Sequence, residues 1–268
     1  LASVSSRFIY RLAHKLDHAR ELGSYRLIRK LGEGGMGVVW AAQHRYLARS
    51  AAIKLIRPTS HPAAGSEVSL MFSQFQKEAE AIASLESPNT VALYDYGISD
   101  EGDLYFVMEH LHGVDLRTIV KRHGAMPHAR MVHLVRQVCA SLEEAHALGL
   151  VHRDIKPANI MACRYAGKYD HVKVLDFGLV EQDTNQSGAN VTNRILGTPA
   201  FMPPENLKPP FSMDSRGDLY AVASVAYWLV SGLLVFDGNT DVDIAVKRLN
   251  SAAPTLSSRG VDIPEGLE

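Results

Sequence analysis

Four glycines fall within the six residues from Gly32 to Gly37, and the chain then runs directly into Val38, Val39 and Trp40. Gly32, Gly34 and Gly37 satisfy G-x-G-x-x-G, a spacing shared by different folds. In a dinucleotide-binding unit a helix N-terminus must follow, so that its dipole faces the pyrophosphate. β-Branched and aromatic residues after Gly37 favour a strand instead. The glycines then form a hairpin able to lay backbone N–H groups over phosphates. This argues against a dinucleotide-binding oxidoreductase and predicts an antiparallel, β-rich beginning. On these residues alone a plain hairpin turn stays open.

The surrounding pattern extends that beginning. "SYRLIRKLG", "GVVWAAQH", "AAIKLIRP", "TVALYDYGI" and "DLYFVMEHL" are short, rich in Val, Ile, Leu and aromatics, and bounded by turn residues. Between the third and fourth, "EVSLMFSQFQKEAEAIASL" spaces Leu70, Phe75, Ala79 and Ile82 as on a helix, with Pro88 closing it. From residue 115 to 150 the reading is helical, with Pro127 before "HARMVHLVRQVCASLEEAHALG" and Gly149 at its end. The fold class is therefore α+β: a β-rich first lobe with one main helix, then a helical second lobe. Residues 7–22 form a basic amphipathic stretch with Phe8, Leu12, Leu16 and Ala19 on one helical face. It reads as a helix docked on its own domain or as a linker near a membrane or another domain. The expected divisions are 1–24 (helix or linker), 25–110 (first lobe) and 111–268 (second lobe).

Composition narrows the function classes. With 28 basic against 29 acidic residues, net charge −1, no global field draws the chain to nucleic acid. Cys139 and Cys163 lack metal-ligand spacing and read as reduced thiols of a cytosolic domain. No run approaches a membrane span of ~20 apolar residues. Because residue 1 is Leu, the expectation is an excerpt of a longer protein, whose outside segments could carry a membrane anchor.

Lys54 lies among apolar neighbours in the third expected strand, where a lysine is costly unless something negative meets it. Glu78, in "FQKEAEAI", is the candidate partner, and such a pair can hold the ammonium toward nucleotide phosphates. "VHRDIKPANI" then compresses several polar groups between apolar residues. Asp154 can accept a hydroxyl proton, Lys156 can sit on a γ-phosphate, and Asn159 can ligate a divalent metal. Seventeen residues on, "KVLDFGL" offers Asp176 as a second metal ligand.

In this order, "GEGGMGVV", "AAIK", Glu78, "HRDIKPAN", "DFG", "GTPAFMPPE" and "GDLYAVASVAYWLVSG" resemble the protein kinase family, specifically the eukaryotic-like serine/threonine kinases of bacteria, over residues 25 to 250. The resemblance implies a two-lobed kinase fold using ATP with Mg²⁺ or Mn²⁺. It places Gly32, Gly34 and Gly37 over the phosphates, Val39, Ala52 and Met161 around adenine, and Leu31 among the nucleotide-binding residues. It gives adenine hydrogen bonds to the backbone of Glu109 and Leu111, with Met108 as gatekeeper. Lys54, Glu78, Asp154 and Lys156 become catalytic residues, and Asn159 and Asp176 metal ligands. Lys156 and Thr198 resemble the serine/threonine branch.

The implied function is phosphorylation of serine and threonine hydroxyls on protein substrates in signal transduction, by a cytoplasmic domain of a membrane-anchored protein. The alternative is a pseudokinase or nucleotide-binding scaffold, which a missing Lys54, Asp154 or Asp176 would favour. The family's A-P-E stands here as Pro203-Pro204-Glu205, and the chain ends before the arginine that usually pairs with that glutamate, so the second lobe is expected to be incomplete. "CRYAGKYDH" is longer than the family implies and reads as a surface hairpin. In the segment 181–201, Thr192 is the expected site of autophosphorylation in trans through self-association, with Arg153 beside the catalytic Asp in the order of a phosphate-binding pocket, and Thr184 and Ser187 less well placed.

Overall fold

The computed structural model describes residues 21–34, 37–56, 66–99, 102–177, 200–207 and 214–267. The five segments with strand composition all become strands, and their contacts gather them into the first of two units, residues 21–84 and Ala92–Leu111 of the described chain. Strands β1 (Glu21–Leu22), β2 (Tyr25–Gly34), β3 (Gly37–His44), β4 (Ser50–Ile56), β5 (Leu93–Ile98) and β6 (Leu104–Glu109) form one sheet in the order β1-β2-β3-β4-β6-β5. Every pairing is antiparallel.

Alternation along the strands gives the sheet two different faces. One buries Tyr25, Leu27, Ala42, Ala51, Ile53, Tyr105 and Val107 in a single apolar cluster. The other carries Ala52, Lys54, Phe106 and Met108, in cross-strand register as Ala52 with Met108 and Lys54 with Phe106. Helix α1 (Ser66–Ala83) reaches this second face through Phe75, whose ring centre lies 4.5 Å from that of Phe106. Beyond Leu27, β2 is exposed as far as Gly34 and its register shifts twice against β3. The glycine-bearing half of the hairpin thus projects past the core that fixes its base.

Glu21 and Leu22 depart from the helix expected over residues 7–22. Gly23, at φ +55°, turns the chain so that they pair with Arg26 and Tyr25, and Arg45 Nη1 donates to Glu21 Oε2 at 3.1 Å. The rest of that expected helix lies outside the described residues.

The second unit comprises Leu85–Val91 and, of the described chain, 112–267. Residues 85–91, read from sequence as part of the first lobe, are held here by polar contacts. The Glu144 carboxylate accepts the Glu86 and Ser87 amides at 2.7 and 2.8 Å, and the Val91 amide donates to Val174 O at 3.0 Å. Strands β7 (Gly113–Asp115), β8 (Ile160–Tyr165) and β9 (Lys168–Val174) make a small sheet. Ala166 and Gly167, at φ 48° and 79°, close β8 onto β9 as the hairpin expected at 163–171.

Helix α2 (Leu116–His123) starts where Asp115 caps the Thr118 amide at 2.8 Å. Helix α3 (His128–Ala147) begins after Pro127 and buries Leu134, Val138, Leu142 and Ala145 along one stripe. Helix α4 (Ser215–Ser231) is capped by Asp214 and ended by Gly232 in the left-handed region. Helix α5 (Asp241–Asn250) is capped by Thr240.

Candidate active site

The stretch from Val151 to Lys156 takes no regular element, and Pro157–Asn159 makes a single 3-10 turn into β8. Two of its neighbourhood's side chains sit in unfavourable backbone: Arg153 at φ 67° and Asp176 at φ 58°. Such conformations cost of order 1–3 kcal/mol each and persist only where the surroundings impose them. For Arg153 the restraint is Asp218 of α4, whose side chain is 0% exposed. Its Oδ1 accepts the Arg153 amide at 2.8 Å, and its Oδ2 accepts the His152 amide and His146 Nε2, both at 2.8 Å.

His152 ties the two halves of the site together. Its ring is fully buried, with Nε2 2.8 Å from Leu175 O and Nδ1 3.2 Å from the Asp154 amide. A carbonyl only accepts and an amide only donates, so Nε2 carries the proton and the imidazole is neutral. Burial pushes its pKa below the ordinary histidine value, in the same direction. Phe177 packs on the ring at 4.6 Å. One imidazole thereby fixes the backbone of Asp154 and the strand end that carries Asp176.

The Asp154 carboxylate faces Lys156 Nζ at 2.9 and 2.7 Å and Asn159 Nδ2 at 2.8 Å. Asn159 Nδ2 also donates to Asp154 O at 2.9 Å, and Asn159 O accepts the Leu175 amide at 2.9 Å. With its nitrogen committed, the Asn159 side chain offers Oδ1 as its acceptor. No group of three His, Cys, Asp or Glu side chains suited to a metal occurs among the described residues. Mg²⁺ does not require one: it takes one or two protein oxygens and completes its shell with water and substrate phosphates. The hard oxygens of Asn159 and Asp176 fit that demand.

In the first unit, Lys54 on β4 is 5% exposed and stands in register with Val39 and Phe106. Phe75 of α1 packs on Phe106, and half-buried Glu78 follows one turn later on the same helix face. Sheet register and helix period therefore bring the two expected partners to one side of the sheet. Ala52 and the expected gatekeeper Met108 share that face and are buried. The end of β6 is doubly tied, since Ala92 O accepts the Glu109 amide at 3.0 Å and Glu109 Oε1 accepts the Ala92 amide at 2.9 Å. Leu111 is half-buried; Leu31, Gly32 and Gly34 are exposed. In the second unit, half-buried Met161 lies on β8 opposite Asp115 and Lys173. Arg153 is exposed, and Thr184, Ser187, Thr192 and Thr198 lie outside the described residues.

Packing explains only one of the three motif glycines. A Cβ on Gly37, at φ +136°, would fall 1.8 Å from Leu55 O, whereas Gly32 and Gly34 have nothing within 4 Å. Asp218 is not among the site residues that the sequence motifs imply. Its signal is a lone carboxylate inside the apolar run of "GDLYAVASVAYWLVSG", which is costly unless donors surround it.

The protein kinase domain model matches residues 25–262. The chain belongs to this family. It is 36% identical over 241 residues to the serine/threonine-protein kinase pkn3 of Myxococcus xanthus, covering 89% of this chain and 43% of that protein. It is 32% identical over 252 residues to the serine/threonine-protein kinase PrkC of Bacillus subtilis, covering 92% and 36%. A crystal structure of Rad53 residues 1-466 in complex with AMP-PNP is similar with a TM-score of 0.65 and 26% identity, over 83% of this chain and 52% of that one. The chain thus has the protein kinase fold, and it spans less than half the length of these two curated relatives.

Proposed function

We propose that the chain transfers the γ-phosphate of ATP to serine or threonine hydroxyls of protein substrates. The observation that carries this reading is the Asp154, Lys156 and Asn159 cluster, held on the buried Asp218 and joined to the Asp176 strand through His152. Asp154 accepts the proton of the incoming hydroxyl. Lys156, already at the carboxylate, supplies positive charge where the transferred phosphoryl group develops negative charge. Lys54, oriented by Glu78, holds the α- and β-phosphates, the backbone from Gly32 to Gly37 covers them, and Leu31 adds to the nucleotide site. Val39, Ala52 and Met161 enclose adenine, which bonds the backbone of Glu109 and Leu111. Asn159 and Asp176 would hold Mg²⁺ or Mn²⁺, which when bound neutralises charge on the phosphate oxygens. A pseudokinase reading draws no support, since Lys54, Asp154 and Asp176 are all present.

Regulation follows from the same residues. Thr192, modified in trans by a second copy, would bring about −1.5 to −2 charge to the exposed Arg153 guanidinium. A cytoplasmic domain attached to a membrane through segments outside residues 1–268 accommodates this role. No helix among the described residues is long and apolar enough to cross a membrane.

The test is incubation with labelled ATP, Mg²⁺ and myelin basic protein, followed by phosphoamino-acid analysis and peptide mapping. Phosphoserine or phosphothreonine on the substrate, and phosphate on Thr192, are expected. Nucleotide binding without transfer would overturn the reading in favour of a scaffold.

The glycines separate fold from ligand. Gly32→Ala should change stability by less than about 0.5 kcal/mol, as an exposed substitution with open space around it, yet raise the KM for ATP. Gly37→Ala should lower the melting temperature as well, because its methyl meets a backbone carbonyl. Equal melting temperatures for both variants would contradict this division.

A further inference from the structure

A guanidinium withdrawn from water normally finds a carboxylate. Arg248 of α5 is 4% exposed and has no salt bridge among the described residues. Its Nη1 donates to Met202 O and its Nη2 to Ala200 O, while Nε is buried with no hydrogen-bond partner among the described residues. The rings of Tyr220 and Phe236 each lie 5.4 Å from its central carbon. A planar fork that reaches two carbonyls at once is a property of arginine that lysine lacks.

The carbonyls it holds belong to a particular place in the chain. Ala200 and Phe201 are buried, and the Phe201 ring meets Trp228 of α4 edge-on at 6.4 Å. The same helix carries Asp218, which fixes the Asp154 loop, and Tyr220 against Arg248 only two residues later. Helix α4 is thus a common mount for the loop of the candidate base and for the segment 200–202. Phe177 packs on His152 and Arg248 holds Ala200, while the residues between Phe177 and Ala200, Thr192 and Thr198 among them, lie outside the described residues.

We propose that Arg248 is a positioning residue for the protein substrate: it seats the Ala200–Met202 backbone on α4 and so sets how a hydroxyl-bearing chain approaches Asp154, without serving the nucleotide. This inference rests on the phosphotransfer reading above. It also gives this segment an anchor inside the chain, independent of any arginine that would pair with Glu205.

The experiment compares Arg248→Met, Arg248→Lys and Arg259→Met in the full chain. Arg259 makes an equivalent pair of bonds, to Leu234 O and Val235 O, and provides a matched loss of structure away from the segment. Arg248→Met should raise the KM for myelin basic protein at least tenfold and leave the KM for ATP within twofold. Arg248→Lys should fall between it and the parent, and Arg259→Met should show no such split. Hydrogen exchange read on Arg248→Lys should speed up in residues 200–207 and not in 152–159. Parallel changes in both KM values, equal exchange in both segments, or parental values throughout would overturn the role. A parent protein that transfers no phosphate would defeat the phosphotransfer reading instead, and the exchange comparison would still decide whether Arg248 holds the segment.

Discussion

Asp154→Asn should lower phosphotransfer turnover by about 10²–10⁴-fold, the range lost when a positioned general base is removed, with ATP affinity nearly unchanged. The substitution keeps the shape of the side chain but removes the anionic oxygen that, in the proposed mechanism, takes the hydroxyl proton. The fold of the loop should survive, because its backbone is held from elsewhere. Asp218 accepts the amides of residues 152 and 153, His152 Nδ1 accepts the amide of residue 154, and Asn159 Nδ2 still reaches the backbone oxygen of residue 154. Lys156 loses its counter-charge and is freed toward the phosphate, so nucleotide binding is not expected to weaken. Single-turnover rates at saturating ATP, with calorimetric ATP binding alongside, decide the matter. Turnover comparable to the parent would remove Asp154 from the role of base.

The parts of this molecule legible in its sequence are those where chemistry demands given residue types at short spacing. Asp154, Lys156 and Asn159 stand within six residues, and the structure brings Lys156 Nζ and Asn159 Nδ2 each within 3 Å of the Asp154 carboxylate. Val38, Val39 and Trp40 announced a strand after the glycines, and β3 begins at Gly37. What stayed hidden depends on partners far along the chain. Asp218 acts on residues more than sixty positions earlier, and Arg248 on carbonyls nearly fifty positions earlier. Neither backbone N–H nor backbone C=O leaves a mark on residue type, so the sequence around Ala200 gives no hint of its anchor. Glu21 and Leu22 depart from the helical expectation for a related reason. Their apolar and charged spacing continues a helical pattern, but Gly23 and the partner strand β2 decide the outcome.

Asp218→Asn should be nearly as damaging to catalysis as loss of the base, and by a different route. Three donors converge on the parent carboxylate: the His152 amide and His146 Nε2 on Oδ2, and the Arg153 amide on Oδ1. An amide side chain has one acceptor oxygen and one donor nitrogen, so in either orientation a buried N–H is turned toward an N–H. Leaving such a group unsatisfied costs about 1–3 kcal/mol, which should appear as a lower melting temperature. The functional consequence comes through Arg153, whose left-handed backbone has lost its restraint and can relax. Asp154 follows it directly in the chain, and displacement of a reacting group by about 1 Å can cost 10²-fold in rate. The signature is a joint loss: stability and turnover fall together in Asp218→Asn, while Asp154→Asn loses turnover alone. An Asp218→Asn protein with parental melting temperature and parental turnover would show that the buried carboxylate does not hold the catalytic loop.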